Sequence, residues 1–198
     1  MSISMSVSRP QEDQYLHKGL RIQLVEILRG KGIQDESVLE AIGNLPRHFF
    51  VDSGLYRQAY DDMDFPIANG RIIGRPYNVA RNIELLNLNK YDRVLEIGTG
   101  SCYQACAMSE MKAQVFTIEN DRELFDMVGC YFFMKSYQSI KRFFGNGFTG
   151  IPSFAPFDKI LIMPPVKTIS PALIEQLKPG GTIVYKDLNR TSQIFKVN

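Results

Sequence analysis

The stretch from Val94 to Met108, VLEIGTGSCYQACAM, decides the fold. It starts as a short apolar run with an acid near its end, continues through a glycine-rich turn, and passes into a segment of helical composition. Proteins with parallel sheets form nucleotide pockets in this way, because their ligands bind outside the carboxyl ends of the strands. Gly98 and Gly100 let the backbone approach a ligand and adopt positive φ. The stretch therefore predicts a cofactor site that includes Glu96, Gly98, Thr99, Gly100 and Ser101.

Strand and helix patterns alternate from Arg93 to the C-terminus. The predicted strands are 93–98, 113–119, 139–145, 157–163 and 182–187, with a sixth at the sheet edge over 192–197. The predicted helices are 102–111, 122–136 and 170–177, the last of them ended by KPGG at 178–181. This alternation predicts an α/β fold, a doubly wound and mostly parallel sheet with helices on both faces.

The N-terminal half reads as helices and loops. Leucines and isoleucines at helical spacing predict a helix over 14–30, and Asp35 is placed to cap a second one that stops before Pro46. The segment 46–78 is rich in turn formers and too long for a simple connector, and 77–88 is helical again. We therefore predict a disordered leader over 1–14 and one domain over 15–198. Residues 15–90 would supply helices and a substrate loop, and residues 91–198 the cofactor-binding sheet.

Composition excludes several classes of protein. Of the 198 residues 44% are hydrophobic and 22% are charged, and the net charge is +2, which is typical of a soluble domain without a nucleic-acid partner. No apolar run approaches the ~18 residues of a membrane span, and the N-terminus lacks a signal-peptide pattern. Three cysteines, two of them distant in sequence from both histidines, predict a reducing cytoplasm with no disulfide and no metal site.

A second acid indicates which ligand the turn holds. Glu119 ends the next predicted strand 21 residues after Gly98, where a carboxylate suits the two hydroxyls of a ribose. A dinucleotide pattern would have glycine where Tyr103 stands. The spacing instead matches E/D-x-G-x-G-x-G of S-adenosylmethionine methyltransferases, with Glu96 suited to an ammonium group. A nicotinamide cofactor, or a glycine turn with another function, remains the alternative.

Two further features of this site need explanation. Cys102 occupies the third glycine position of the pattern. The backbone strain at a residue with a Cβ is small if its φ is negative and about 1 kcal/mol or more if its φ is positive. The faces of Tyr77 and Tyr103 could pack near the sulfonium, since cations favour aromatic faces, with core packing as the alternative role.

Several segments carry a resemblance to a known family. LPRHFF, AYDDMDFPI, RPYNVA, VLEIGTGSCYQ, GNGFTGIPSFAPFDKI and LIEQLKPGG, between Tyr15 and the C-terminus, resemble segments of the protein-L-isoaspartate O-methyltransferases. The resemblance implies a Rossmann-like class I methyltransferase fold. It also implies transfer of a methyl group from S-adenosylmethionine to the free α-carboxylate of an isoaspartyl residue in a damaged protein.

The chain departs from that family at its catalytic loop. Where the family reads close to GQTISQPY, this chain has GRIIGRPY over 70–77. The serine most tied to catalysis is replaced by Gly74, both glutamines by Arg71 and Arg75, and a frequent histidine by Asn69. These four residues are the catalytic candidates. The resemblance adds Asn120, Asn146 and Gly147 to the cofactor-binding candidates, with Asn146 in place of an aspartate near the adenine.

Two hypotheses on function follow. In the first, the chain is an S-adenosylmethionine-dependent O-methyltransferase that acts on a carboxylate or other anionic acceptor, a peptide, a protein or a small molecule. Isoaspartyl peptides would then be poor substrates, because Gly74 offers no hydroxyl. In the second, the chain is a non-catalytic relative that binds S-adenosylmethionine or a partner. Arg71 and Arg75 would anchor an anionic group in the first hypothesis, or would be solvated loop charges.

Overall fold

The computed structural model describes residues 12–189 and 192–196, so most of the leader predicted over 1–14 lies outside the described residues. The α-helices in that part of the chain are α1 Tyr15–Gly30, α2 Glu36–Asn44, α3 Pro76–Leu86, α4 Tyr103–Glu110, α5 Arg122–Gly129 and α6 Pro171–Glu175. The strands are β1 Phe65–Pro66, β2 Ile72–Ile73, β3 Arg93–Ile97, β4 Gln114–Glu119, β5 Ile140–Phe144, β6 Phe157–Ile162, β7 Leu177–Lys186 and β8 Ser192–Lys196.

Six strands form the central sheet in the order β5-β4-β3-β6-β7-β8. β3 to β7 run parallel, and β8 joins the edge antiparallel to β7. The chain builds outward from β3 through β4 to β5 and then returns to place β6 on the other side of β3. Strand order thus reverses between β3 and β6, and a ligand crevice is expected at the carboxyl ends of these strands. The predicted doubly wound, mostly parallel sheet is confirmed.

Both faces of the sheet are apolar, as a covered parallel sheet requires. Val94 and Val115 belong to a cluster with buried residues of α1 to α5, among them Leu24 and Leu28. Their neighbours along the strands face the opposite cluster, which includes Leu95, Phe116, Ile160 and Leu173. The sheet is therefore a rigid platform, and the site can be built on its loops.

The N-terminal helices form largely as the sequence predicts. Asp35 is the N-cap of α2, and its carboxylate accepts hydrogen bonds from the backbone amides of Ser37 and Val38. The segment 46–78 contains three short 3-10 helices, the two-stranded β1–β2 sheet and a fourth 3-10 turn before α3. This segment crosses from the helical layer to the crevice, so it can carry an acceptor loop.

Two predicted helices are too long. α5 ends at Gly129 and is followed by a 3-10 helix, Phe132–Ser136, rather than continuing to Ser136. The rings of Tyr131 and Phe133 lie 5.1 Å apart and both contact Phe50. Residues two apart do not face each other on an α-helix. The shared aromatic contact therefore overrides the helical pattern.

The KPGG segment does not end a helix as predicted. α6 stops at Glu175, and 178–181 lie inside β7, where the pairing with β6 shifts by several residues. Gly180 has φ +76°, and a Cβ at Gly181 would lie 2.6 Å from Cγ of Leu177. These glycines let the strand bulge, because any side chain at 181 would collide with the strand's own first residue.

No helix among residues 12–189 and 192–196 combines the length and the apolar character needed to cross a lipid bilayer.

Candidate active site

The turn between β3 and α4 has an unusual backbone. Gly98, Gly100 and Cys102 all have positive φ, at +92°, +53° and +67°. Alternate residues in this conformation curl the chain around the carboxyl end of β3. The Thr99 hydroxyl, 2.7 Å from the Thr117 hydroxyl, ties the turn to β4. The turn is therefore shaped to receive a ligand at the predicted place.

Cys102 adopts the left-handed conformation although it has a side chain. It immediately precedes α4 at φ +67° and ψ 3°, and it is fully buried. This backbone conformation costs a residue with a Cβ about 1 kcal/mol. The position therefore requires a glycine-like backbone, which explains why the matching pattern has glycine there.

We expect Cys102→Gly to be more stable than Cys102→Ala by about 1 kcal/mol, because only glycine relieves the left-handed strain. Both variants lose the thiol, so their difference isolates the backbone. Urea unfolding followed by circular dichroism measures it. At an ordinary helical position the alanine variant is the more stable of the two. A Cys102→Ala protein more stable than Cys102→Gly would therefore contradict left-handed strain at residue 102.

Glu119 joins the end of β4 to the glycine turn. Its carboxylate accepts hydrogen bonds from the backbone amides of Gly100 at 2.9 Å, Asn120 at 2.9 Å and Asp121 at 3.0 Å. The side chain is buried. A carboxylate can accept about four hydrogen bonds, so capacity remains for a ligand hydroxyl. The position fits the predicted ribose contact.

Glu96 lies deeper, beneath the turn. One carboxylate oxygen accepts from the Thr117 hydroxyl at 2.7 Å and the other from the Gln104 amide at 3.1 Å. Gln104 in turn accepts from Asn82 at 3.2 Å. Burial raises the pKa of Glu96 to about 7, and the nearby Glu119 charge adds to the shift. These partners give Glu96 an ordering role, and its contact with a ligand ammonium stays a prediction.

Folding raises the pKa of Glu96 from 4.5 to about 7, so binding of a proton to its carboxyl stabilises the native state. This contribution to the free energy of unfolding is complete below pH 4.5 and is lost as pH rises through about 7. Glu96→Gln stays neutral. We compare the free energy of unfolding of the variant with that of the wild type at each pH. We expect this difference to shift by about 2–3 kcal/mol in favour of the variant between pH 5 and pH 8. Urea unfolding at both pH values measures this. Equal differences at pH 5 and pH 8 would show that Glu96 is ionised in the native state throughout.

The acceptor loop, defined here as residues 68–75, runs from a 3-10 turn through β2 to the start of α3. Arg71 and Arg75 are exposed. Among the described residues neither guanidinium has a hydrogen-bond or ion-pair partner. A Cβ built on Gly74 would meet nothing within 4 Å. The loop thus presents two free cations on either side of an open position.

Two aspartates fix the exit of this loop. The Arg75 amide donates to Asp64 at 2.6 Å, and the Tyr77 amide donates to Asp62 at 2.7 Å. These amides belong to the first turn of α3, whose N–H groups lack helical partners. Neither aspartate was a predicted site residue. Both lie in AYDDMDFPI, a segment that carries the family resemblance, and this is the sequence signal for them.

Asn69 connects the acceptor loop to the cofactor side. It has φ +55°, and its amide donates to both carboxylate oxygens of Asp121 at 3.0 and 3.1 Å. Asp121 follows Glu119 by two residues and caps α5. The structure therefore brings one catalytic candidate of the loop, Asn69, to the edge of the predicted cofactor site.

The remaining predicted site residues fall into two groups. Asn120 and Asn146 are exposed at the carboxyl ends of β4 and β5, and a Cβ on buried Gly147 would lie 2.4 Å from Ile97. Tyr77 is half-buried at the start of α3. Tyr103 is 1% exposed and packs edge-on against Phe50 at 5.2 Å. Its contacts are those of core packing, the alternative that the sequence left open.

The exit of β6 lies against the glycine turn. A Cβ on Gly98 would be 3.2 Å from Pro164, and the Met163 sulfur lies 3.1 Å from the Gln104 amide nitrogen. Bulky side chains from this exit thus pack against the turn and α4.

The fold brings together two histidines that are far apart in sequence. The rings of His17 and His48 stack at 3.8 Å, and the Tyr60 hydroxyl lies 2.5 Å from Nδ1 of His48. Their nitrogens lie within 4.8 Å of a carboxylate oxygen of Asp13. Both oxygens of that carboxylate are already paired with Arg21 at 2.7 Å. The cluster therefore reads as a buried structural network.

A parallel sheet with a glycine turn after its first long strand, an acid at the end of the next and Tyr103 in place of the third dinucleotide glycine fits a class I S-adenosylmethionine-dependent methyltransferase. The comparisons with known proteins narrow this class. The family described as Protein-L-isoaspartate(D-aspartate) O-methyltransferase (PCMT) matches residues 20–197. The chain belongs to this family.

Two relatives bear the name protein-L-isoaspartate O-methyltransferase. One from Christiangramia forsetii is 44% identical over 173 residues, covering 87% of this chain and 81% of that protein. One from Cytophaga hutchinsonii is 46% identical over 173 residues, covering 87% of this chain and 78% of that protein. The similarity therefore extends across both the N-terminal layer and the sheet.

Solved structures agree with this placement. A structure named protein-L-isoaspartate O-methyltransferase superposes with a TM-score of 0.81 at 27% identity, covering 90% of this chain and 60% of that one. A Plasmodium falciparum beta-aspartate methyltransferase, solved with S-adenosyl-L-homocysteine, has a TM-score of 0.71 at 18% identity and shows the same fold over 92% of this chain.

S-adenosyl-L-methionine is the cofactor of this enzyme class, and the residues present fit it. A Cβ on Gly100 would meet no atom within 4 Å, so a ligand can approach this part of the turn, and Glu119 keeps capacity for one ribose hydroxyl. The predicted methyltransferase class and cofactor are confirmed.

Proposed function

We propose that the protein methylates a carboxylate of an anionic peptide or protein acceptor beside Gly74, and that isoaspartyl peptides are slow substrates for it. The observation that carries the proposal is the pair of exposed, unpartnered guanidinium groups of Arg71 and Arg75 on either side of an open glycine. Their charge favours an anionic acceptor, and the missing side chain at 74 removes the hydroxyl on which the family relies.

The chemistry asks little of the protein beyond alignment. A carboxylate is ionised at neutral pH without a general base. The bound cofactor supplies an electrophilic methyl group on sulfur. The chain must hold the acceptor oxygen in line with that methyl and exclude water. The hydrogen bonds from Arg75 to Asp64 and from Asn69 to Asp121 support this, because they fix the acceptor loop near the cofactor residues.

The two arginines act best on a second anionic group of the acceptor. A guanidinium that gripped the reacting carboxylate would stabilise its charge and lower its nucleophilicity. A neighbouring acidic side chain or a terminal carboxylate would be held without that cost. The acceptor is therefore a carboxylate in an acidic sequence context.

We expect Arg71→Gln with Arg75→Gln to raise the acceptor KM about fivefold to tenfold, because each exposed ion pair contributes up to about 1 kcal/mol. The probes are two isoaspartyl peptides of equal length, one with acidic and one with basic flanking residues. Radiolabelled methyl transfer gives KM and kcat for each peptide. Only the acidic peptide should respond to the double substitution.

Affinity for S-adenosylhomocysteine, measured by calorimetry, should not change in this double variant. Arg57→Gln, which removes another exposed arginine, is the matched control and should leave both constants unchanged. If the double variant loses cofactor affinity, the arginines bind the cofactor carboxylate instead. Cofactor binding without methyl transfer to either peptide would favour the non-catalytic alternative.

The cytoplasmic location stays a prediction.

A further inference from the structure

A buried guanidinium lies directly beneath the acceptor loop. Arg47, in the 3-10 helix Arg47–Phe50, is fully inaccessible to solvent. Its Nη2 donates to the carbonyl oxygen of Gly74 at 2.9 Å and is 3.4 Å from that of Met63. Within the described part of the chain, its Nε and Nη1 have no hydrogen-bond partner. Arg47 thus touches Gly74, which stands where the resembled family has its serine.

The contact completes a clamp on a single peptide unit. The carbonyl of Gly74 is held by Arg47, and the amide of the next residue, Arg75, is held by Asp64 at 2.6 Å. A peptide group held at both its oxygen and its nitrogen cannot rotate without breaking a charge-assisted hydrogen bond. The orientation of the backbone at Gly74 is therefore set by side chains outside the loop.

The same guanidinium reaches the cofactor side of the site. It lies 4.6 Å above the ring centre of Tyr103, the first residue of α4 after the glycine turn. The Tyr103 hydroxyl is buried and, in the region described, has no hydrogen-bond partner. Phe50, from the same 3-10 helix, packs on this ring as well. Arg47 therefore contacts both the acceptor loop and the helix that follows the cofactor turn.

Stability alone does not account for this arrangement. Burial lowers the pKa of Arg47, and the nearby Tyr103 hydroxyl opposes that shift more than the charges of Asp64 and Asp62 do. A buried cation with unpaired donors is destabilising compared with an apolar side chain of similar size. Arg47 contacts the acceptor loop at Gly74 and the start of α4 at Tyr103. The distance between these two parts of the site determines methyl transfer.

We propose that Arg47 is a positioning residue that holds the Gly74 backbone at a fixed distance from the first turn of α4, and so from the methyl donor. This inference rests on the proposed methyl transfer beside Gly74. The residue acts through the loop carbonyl and does not touch either reactant.

The experiment compares Arg47→Lys and Arg47→Met with the wild type. Lysine keeps the charge but cannot span the same contacts, and methionine keeps only the packing. Arg21→Lys is the matched control, since Arg21 is also buried but pairs with Asp13 instead of the loop. Circular dichroism and thermal unfolding first identify the temperature range in which each variant is folded.

Trypsin cleavage measures the order of the acceptor loop without an assay of methyl transfer. Trypsin can cut after exposed Arg71, and the rate of that cut, followed by mass spectrometry, reports opening of the loop. We expect both Arg47 variants to be cut there at least tenfold faster than the wild type, with cleavage after Lys90 unchanged. S-adenosylhomocysteine affinity should stay within threefold. Arg21→Lys should leave the Arg71 cut unaltered.

Methyl transfer to the acidic isoaspartyl peptide gives the second readout. We expect kcat to fall at least tenfold in Arg47→Lys while the acceptor KM changes less than threefold. An unchanged rate of cleavage at Arg71, or a parallel loss of cofactor affinity, would overturn the positioning role. If the wild type transfers no methyl but the Arg71 cut still accelerates, the proposed function fails while the clamp on Gly74 stands.

Discussion

Glu119→Gln is expected to weaken S-adenosylhomocysteine binding about 100-fold. The carboxylate stands at the end of β4 with capacity for about one more hydrogen bond, which a ribose hydroxyl would donate. Hydrogen bonds to a charged group are worth about 1.5–3 kcal/mol, so losing the charge costs about two powers of ten in affinity. Calorimetric titration with S-adenosylhomocysteine measures the effect.

The same substitution also affects stability, because Glu119 accepts from three backbone amides. A glutamine amide placed toward an N–H group leaves that group unpaired, at about 1–3 kcal/mol. The titration is therefore made at a temperature where circular dichroism shows the variant folded. Glu123→Gln, an exposed carboxyl in the first turn of α5, is the control and should bind normally. A folded Glu119→Gln protein with wild-type affinity would remove Glu119 from the cofactor site.

The sheet was predictable because its determinants are local. Each central strand is a short apolar run bounded by turn formers, and alternation with helices leaves few topologies. The glycine turn was predictable for a related reason. Glycines at 98 and 100 and acids at 96 and 119 are close in sequence, so their spacing alone indicates their common location.

The tertiary contacts of the site were not predictable, because their members are far apart in the chain. Arg47 meets the carbonyl of Gly74 and the ring of Tyr103 only after the helical layer has packed on the sheet. Glu96 has a suggestive position in its motif, but its two partners, Thr117 and Gln104, come from different elements. Sequence spacing identifies candidate residues, and the burial that changes their chemistry depends on the fold.

The two helix errors have the same origin. Apolar periodicity over 122–136 is compatible with one long helix, yet Tyr131 and Phe133 turn toward Phe50, a residue about 80 positions earlier. In β7, Gly181 is required by contact with Leu177 in the same strand rather than by a helix end. Glycine marks a backbone constraint, and its sequence context alone does not say which one.

Gly74→Ser is expected to raise kcat/KM for isoaspartyl peptides by tenfold or more. The added Cβ meets no atom within 4 Å, and the backbone at 74 is already held by Arg47. The new hydroxyl can therefore enter an ordered loop and donate to the carboxylate oxygen that does not attack, which aligns the other oxygen with the methyl group. One hydrogen bond to a charged group is worth about 1.5–3 kcal/mol, which corresponds to about 10–100-fold in rate. Labelled methyl transfer to an isoaspartyl peptide measures the gain.

Gly74→Ala separates the hydroxyl from the side chain itself. Alanine adds the same Cβ in the same open space and stiffens the chain in the same way, so its activity should remain at the wild-type level. If alanine gains as much as serine, loop rigidity is the missing element. If neither gains, while trypsin cuts after Arg71 at the wild-type rate, the loop is intact and the obstacle lies at the β6 exit. There Pro164 packs against Gly98 and Met163 against Gln104, so smaller residues at 163 and 164 become the next substitutions.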